Sequence, residues 1–115
     1  MTDLARIEVD DDRSGLRLVR VRGEIDISNA RELEWVIERA MSNGSPGLIL
    51  DLSHTRYLDS AAIELLFRLA GRLQARLLEL KLVVPPGSPI RAVLELTGLP
   101  RAVTLEEGVD APSPD

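Results

Sequence analysis

The 115-residue chain has no cysteine, which excludes disulfides, thiolate nucleophiles and Cys-ligated metals. It has one histidine, His54, so no site built on two imidazoles can exist. Positive charge is short as well. Fourteen Lys and Arg stand against 19 Asp and Glu, a net charge of −5 with a sequence pI near 4.9. A nucleic-acid binder needs surplus positive charge to displace counterions from phosphates, so nucleic acid is not an expected partner. No apolar run approaches the roughly 20 residues of a membrane-spanning helix, and membrane insertion is not expected either. The start, Met1-Thr2-Asp3-Leu4, carries neither the basic patch nor the apolar stretch of a signal peptide. Walker A, G-x-G-x-x-G and G-x-S-x-G motifs are missing, and with them the usual phosphate loops and the serine-hydrolase elbow. What is there is 44% hydrophobic and 29% charged, the make-up of one ordinary cytoplasmic globular domain.

Ala5, Ile7 and Val9 alternate with charged residues, the pattern of an edge strand. Turn chemistry at Asp11 to Gly15 leads to a second strand, Leu16 to Arg22, and the two make an antiparallel hairpin. Leu16 and Leu18 face one way and Val19 and Val21 the other, so the second strand is either central or bulged. Gly23-Glu24-Ile25-Asp26 ends it. A helix then starts at Ser28 or Asn29, where Asn29 and Glu32 have the spacing of a reciprocal cap. Its apolar side is Ala30, Leu33, Val36, Ile37, Ala40 and Met41, and Asn43-Gly44 stops it. Leu48 to Leu52 reads as a central parallel strand covered on both faces, followed by a polar loop. Asp59 and Ser60 open a second helix with the stripe Ala62, Leu66, Leu69, Leu73, widened by Ile63, Leu65 and Ala70. Leu80 to Val84 is a fourth strand. Ser88 as cap, Pro89 in the first turn and Gly98 past the end bracket a third helix. Arg101 to Leu105 adds a short last strand. The fold class is therefore α/β: a single domain with a mixed four- to five-stranded sheet flanked by helices, over residues 4–105. Residues 106–115 read as a disordered tail.

Each candidate site has a plain reading beside its functional one. His54, Ser60 and either Asp51 or Asp59 supply the residue types of a triad, but only geometry makes a triad, and His54 reads as a solvated loop residue. No catalytic residue is assigned. Glu24 and Asp26 alternate at a strand end, which would turn both carboxylates to one side. A cation would ask for further oxygens that the sequence does not place, so no metal or cofactor is expected. Asp10-Asp11-Asp12 reads as a solvated turn. Asp59-Ser60 first serves as an N-cap. The same position also presents a serine hydroxyl among unpaired N–H groups at the positive helix end, where a phosphate is tolerated. Both readings stand from these residues alone.

Four short runs carry a resemblance. Arg22-Gly23-Glu24-Ile25-Asp26, Leu48-Ile49-Leu50-Asp51-Leu52-Ser53, Tyr57-Leu58-Asp59-Ser60 and Val93-Leu94-Glu95-Leu96-Thr97-Gly98-Leu99 resemble the STAS domain family, and more closely its bacterial anti-sigma factor antagonists. The resemblance implies a non-enzymatic binding module. It makes Ser60 the residue phosphorylated by an anti-sigma factor with serine kinase activity. The unphosphorylated form would bind that kinase and free a sigma factor, and the phosphorylated form would let go. It also places partner contact at Gly23, Glu24, Asp26, Asp59, Ser60, Ala61 and Ala62, and leaves room for a phosphoserine phosphatase as a further partner. Two features depart from the family pattern. Ala61 and Ala62 stand where Ser or Thr and then Gly are usual, which removes a hydroxyl and some backbone freedom while favouring helix. The stretch from Glu106 to Pro112 is too short and broken for the usual C-terminal helix. The same resemblance admits a different task, as an accessory subunit of a lipid-trafficking ATP-driven transporter or as a stress-signalling scaffold. Oligomeric state stays open.

One surface expectation lies outside these motifs. Trp35 falls opposite the core stripe of the first helix, four residues from both Arg31 and Arg39, so it should be exposed and covered by guanidinium groups.

Overall fold

The computed structural model describes residues 4–108. Its elements run β1 (Ala5–Asp11), β2 (Arg17–Ile25), α1 (Ala30–Met41), β3 (Gly47–Leu58), α2 (Ser60–Ala75), β4 (Glu79–Val83), α3 (Arg91–Thr97), a 3-10 turn (Leu99–Arg101) and β5 (Thr104–Glu106). The five strands stand in the order β1-β2-β3-β4-β5. β1 and β2 are the antiparallel hairpin, and β2 to β5 pair in parallel, as helix-linked crossovers require. Val109 to Asp115, including the Pro112 to Asp115 tail, lie outside the described residues. Glu106 closes β5.

One core holds the layers together. Leu33 and Ile37 of α1 and Leu65, Leu66, Leu69 and Leu73 of α2 bury against Val19, Val21, Ile25, Leu48, Leu50 and Leu52 of the sheet. Each such side chain contributes roughly 1.5–3 kcal/mol by leaving water. The helices of the described residues all join this cluster, on one sheet face. Among the described residues the opposite face holds a small cluster of Leu16, Leu18, Ile49 and Val83. Among the described residues the second face of β3 is thus covered by neighbouring strand side chains and not by a helix layer.

Several boundaries move from their expected places. Asp10 and Asp11 end β1 rather than sit in the turn. β3 runs on through Ser53 to Leu58, where polarity predicts a loop, because the far end of β2 offers it a partner strand. The pairing slips twice there: Arg20 meets Asp51 but Arg22 meets His54, and Gly23 meets Thr55 but Glu24 meets Tyr57. β3 holds the extra residue each time, the signature of a bulge. Val21 has no partner in the β2–β3 register, and its carbonyl accepts from the buried Thr55 hydroxyl at 2.9 Å. At α3 the Ser88 hydroxyl oxygen accepts from the Ile90 N–H at 3.3 Å, and the helix starts at Arg91, after a turn containing Pro89. Gly98 ends it at φ +83°, as its type requires. Leu77 closes α2 at φ +58°, an uncommon conformation for a residue with a Cβ.

Candidate functional site

The site lies where β2 and β3 end and α2 begins. Gly23 starts it. At φ +109° it adopts a backbone conformation that residues with a Cβ avoid, and a Cβ there would lie 2.2 Å from the Leu4 carbonyl oxygen. That same oxygen accepts the Glu24 N–H at 2.9 Å. Glycine is thus required by close backbone approach and not only by its positive φ. β2 ends at the fully buried Ile25, whose carbonyl accepts the Asp59 N–H at 3.2 Å.

Beyond Ile25 the chain turns sharply, and side chains hold the turn. Asp26 Oδ1 accepts from the Ser28 N–H at 2.8 Å and from its hydroxyl at 2.5 Å. These two bonds favour the charged form, so the Asp26 carboxyl sits below its ordinary pKa. Since Asp26 has left the strand, the alternation that would align it with Glu24 does not reach it. Among the described residues no group of three His, Asp or Glu gathers as a metal site would need.

Asn29 does not form the expected reciprocal cap with Glu32. Its side chain makes no bond to its own helix and turns back instead. Oδ1 accepts the Asp26 N–H at 2.9 Å and Nδ2 donates to the Glu24 carbonyl at 3.0 Å. A local loop bond of this kind competes with capping for the same side chain.

Asp59 resolves the capping question. Its Oδ1 accepts the Ala62 N–H at 2.9 Å, so Asp59 is the N-cap of α2. Its Oδ2 accepts the Ile27 N–H at 2.9 Å, which ties the β2–α1 turn to the start of α2. Ser60 is the first residue of the helix and is exposed, free of the capping duty. Ala61 is half-buried and Ala62 is buried, so a small residue at 62 is a packing demand. The structure therefore brings Gly23, Glu24, Asp26, Asp59, Ser60, Ala61 and Ala62 to one end of the sheet. Sequence reasoning missed two residues. Asn29 is the buttress of the turn, and Ile27 is an apolar side chain left 81% exposed at its tip. The signal for Ile27 was present, an isolated apolar residue between Asp26 and Ser28. Beside it, Ala61, Arg31, Glu34, Glu64 and Arg68 line a shallow groove.

His54 is exposed but on β3, not in a loop. It lines a cleft with Arg22 and Arg56 that Ser60 does not share, so the residue types of a triad are not assembled there. Trp35 is exposed as expected, with the Arg39 guanidinium carbon 4.9 Å from the ring centroid. Arg31 instead lines the groove beside Ile27. Helical side chains lean toward the N-terminus, which carries Arg39 back over Trp35 and Arg31 away from it.

The domain is thus a mixed sheet with its helices on one face, and one helix opens on an Asp-capped, exposed serine beside a braced turn. The STAS domain family model matches residues 8–111, and the chain belongs to the STAS domain family. Solved structures agree. An anti-sigma factor antagonist from Mycobacterium paratuberculosis is 29% identical, with a TM-score of 0.83 over 92% of this chain and 88% of that one. A putative anti-sigma factor antagonist from Thermotoga maritima is 21% identical, with a TM-score of 0.75 over 90% and 88%. The antagonist SpoIIAA in its unphosphorylated form is 19% identical, with a TM-score of 0.70 over 87% of each chain. Its phosphorylated form, described for Bacillus, gives a TM-score of 0.66 at 19% identity over 87% and 90%. The fold is that of the anti-sigma factor antagonists. Among the described residues no helix is long and apolar enough to cross a membrane.

Proposed function

We propose that this chain is an anti-sigma factor antagonist that binds an anti-sigma factor with serine kinase activity and lets go once Ser60 is phosphorylated. The observation that carries the reading is the division of labour at α2: Asp59 caps the helix and braces the turn, which leaves Ser60 exposed at the first helical position. The likeness to the Mycobacterium antagonist, and SpoIIAA's two solved phosphorylation states, support it. Phosphorylation adds about −1.5 to −2 charges at the helix N-terminus. In the free protein, water and the unpaired N–H groups of α2 solvate that charge. Under a docked partner it is desolvated beside Asp59, a cost of several kcal/mol. The exposed Ile27 is the apolar anchor of the contact, with Gly23, Glu24, Asp26 and Ala61 at the same end of the sheet. Ala62 is buried and supports the surface from beneath instead of touching the partner. A phosphoserine phosphatase would reset the switch.

The test is intact mass after incubation with ATP and candidate anti-sigma kinases, then affinity for the kinase that reacts. Ser60→Ala should bind as the unmodified protein does and lose no more than about 0.5 kcal/mol of stability, because the cap is Asp59. The phosphorylated protein should bind more than about tenfold more weakly. Equal affinity for all three forms rejects the switch. Binding to a transporter ATPase and not to any anti-sigma factor rejects the reading altogether.

A further inference from the structure

The sheet face turned away from the helices distributes its charges unevenly. In the middle of β2 one cation faces two carboxylates: Arg20 lies 3.8 Å from Asp10 and 3.7 Å from Asp51. Near the end of β2 the balance reverses. The hairpin register sets Arg6 directly opposite Arg22, and the first β3 bulge brings His54 beside Arg22 on the next strand. Opposed residues on antiparallel strands have Cα atoms about 4.5–5.5 Å apart. Arg56 completes the rim of a cleft of about 490 Å³, lined also by Leu4, Ala5 and Gly23. Among the described residues one carboxylate reaches this group, Glu8, at 3.6 Å from Arg22.

Like charges placed directly opposite on neighbouring strands repel and lower stability. An acidic protein that gathers three arginines and its only histidine in one cleft gains nothing from the fold for doing so. A multiply charged anion would convert the repulsion into charge-assisted hydrogen bonds, and guanidinium forks match phosphate oxygens two at a time. The cations converge on one cleft rather than line an extended groove, which suits a compact anion better than an acidic peptide. The volume lies within the roughly 300–1,000 Å³ of small-molecule sites. We infer that this cleft binds a small phosphate-bearing anion, held by Arg6, Arg22 and Arg56 with His54 as a further contact. Binding here requires neither phosphorylation at Ser60 nor an anti-sigma factor.

The test titrates pyrophosphate and, separately, inorganic phosphate into the full chain at constant ionic strength, followed by amide and imidazole NMR shifts. Saturable shifts are expected at Leu4, Arg6, Arg22, Gly23, His54 and Arg56, with a Tm that rises with pyrophosphate. Replacing Arg6 and Arg56 together by Gln should weaken pyrophosphate binding by about a hundredfold, about tenfold for each arginine. Arg101→Gln, on the surface elsewhere, should leave it unchanged. In phosphate-free buffer Arg6→Gln alone should melt no lower than the unmodified protein, because the Arg6–Arg22 repulsion is relieved. Four results would each overturn the site: no saturable shifts, equal binding by the double variant, a clearly lower Tm for Arg6→Gln, or tighter binding of hexaglutamate than of pyrophosphate.

Discussion

Both long helices begin at an Asx residue, and they use it in opposite ways. Asp59 keeps one oxygen for its own helix and gives the other to Ile27 of the facing turn. The Asn29 side chain gives its helix nothing and spends both ends of its amide on the Glu24–Asp26 backbone. α1 starts instead on backbone bonds, with the Asn29 and Ala30 N–H groups both donating to the Asp26 carbonyl. A capping residue type therefore marks where a helix begins but not what its side chain does. Here two helix starts, far apart in sequence, converge on one short turn. That convergence fixes the turn's shape around the exposed Ile27 and next to Ser60.

The largest expected effect removes the platform on which both helix starts stand. Gly23→Ala places a Cβ at φ +109° against the Leu4 carbonyl, so stability should fall by about 3 kcal/mol or more in chemical denaturation. The Glu24 amide should then exchange faster with solvent. Next comes Asp59→Ala, at about 2 kcal/mol. That exceeds the usual loss of about 1 for a cap because the Ile27 N–H loses its acceptor too. Hydrogen exchange should accelerate at both Ala62 and Ile27, and acceleration at Ala62 alone would reduce Asp59 to an ordinary cap. Asn29→Ala should cost about 1 kcal/mol and loosen the Asp26 amide while leaving the first turn of α1 as it was. Fraying of α1 instead would erase the contrast between the two helix starts.

The smallest effect is a titration. Asp26 has a folded pKa below its ordinary 3.8, held down first by the Ser28 hydroxyl and then by the Ser28 N–H. A depressed carboxyl stabilises the fold fully above its unfolded pKa, and that contribution is lost as pH falls through the lower folded value. Ser28→Ala should move the Asp26 pKa back toward 3.8 in an NMR titration and flatten the acid-side stability curve. An unchanged pKa would mean that the turn does not hold Asp26 in solution.

Much of the molecule was legible in the residues themselves. The alternation of Ala5, Ile7 and Val9, the α1 and α2 apolar stripes and the Leu48–Leu52 run are local patterns. Their physics, side-chain period against burial, acts within a few residues, and they read correctly as strands and helices on a mixed sheet. Gly98 at a helix end and the exposure of Trp35 follow from equally local rules. The bring-together of Gly23, Glu24, Asp26 and Asp59-Ser60 at one end of the sheet was legible only through resemblance, since the motifs are distant in sequence.

The sequence by itself determined the periods, the breakers and the residue types available at each turn. Only the tertiary structure decided how those residues were spent. Ser53 to Leu58 is strand because β2 lies alongside to pair with it, and no local signal in a polar run reports a neighbour more than thirty residues away. Asp59 rather than Ser60 became the cap, and Asn29 a buttress, because each side chain had several acceptors or donors in reach and the packed geometry chose among them. The bulge that carries His54 beside Arg22, and the second one after Gly23, exist for the same reason. Register is set by what two strands must bury together, and that is a property of the pair and not of either segment.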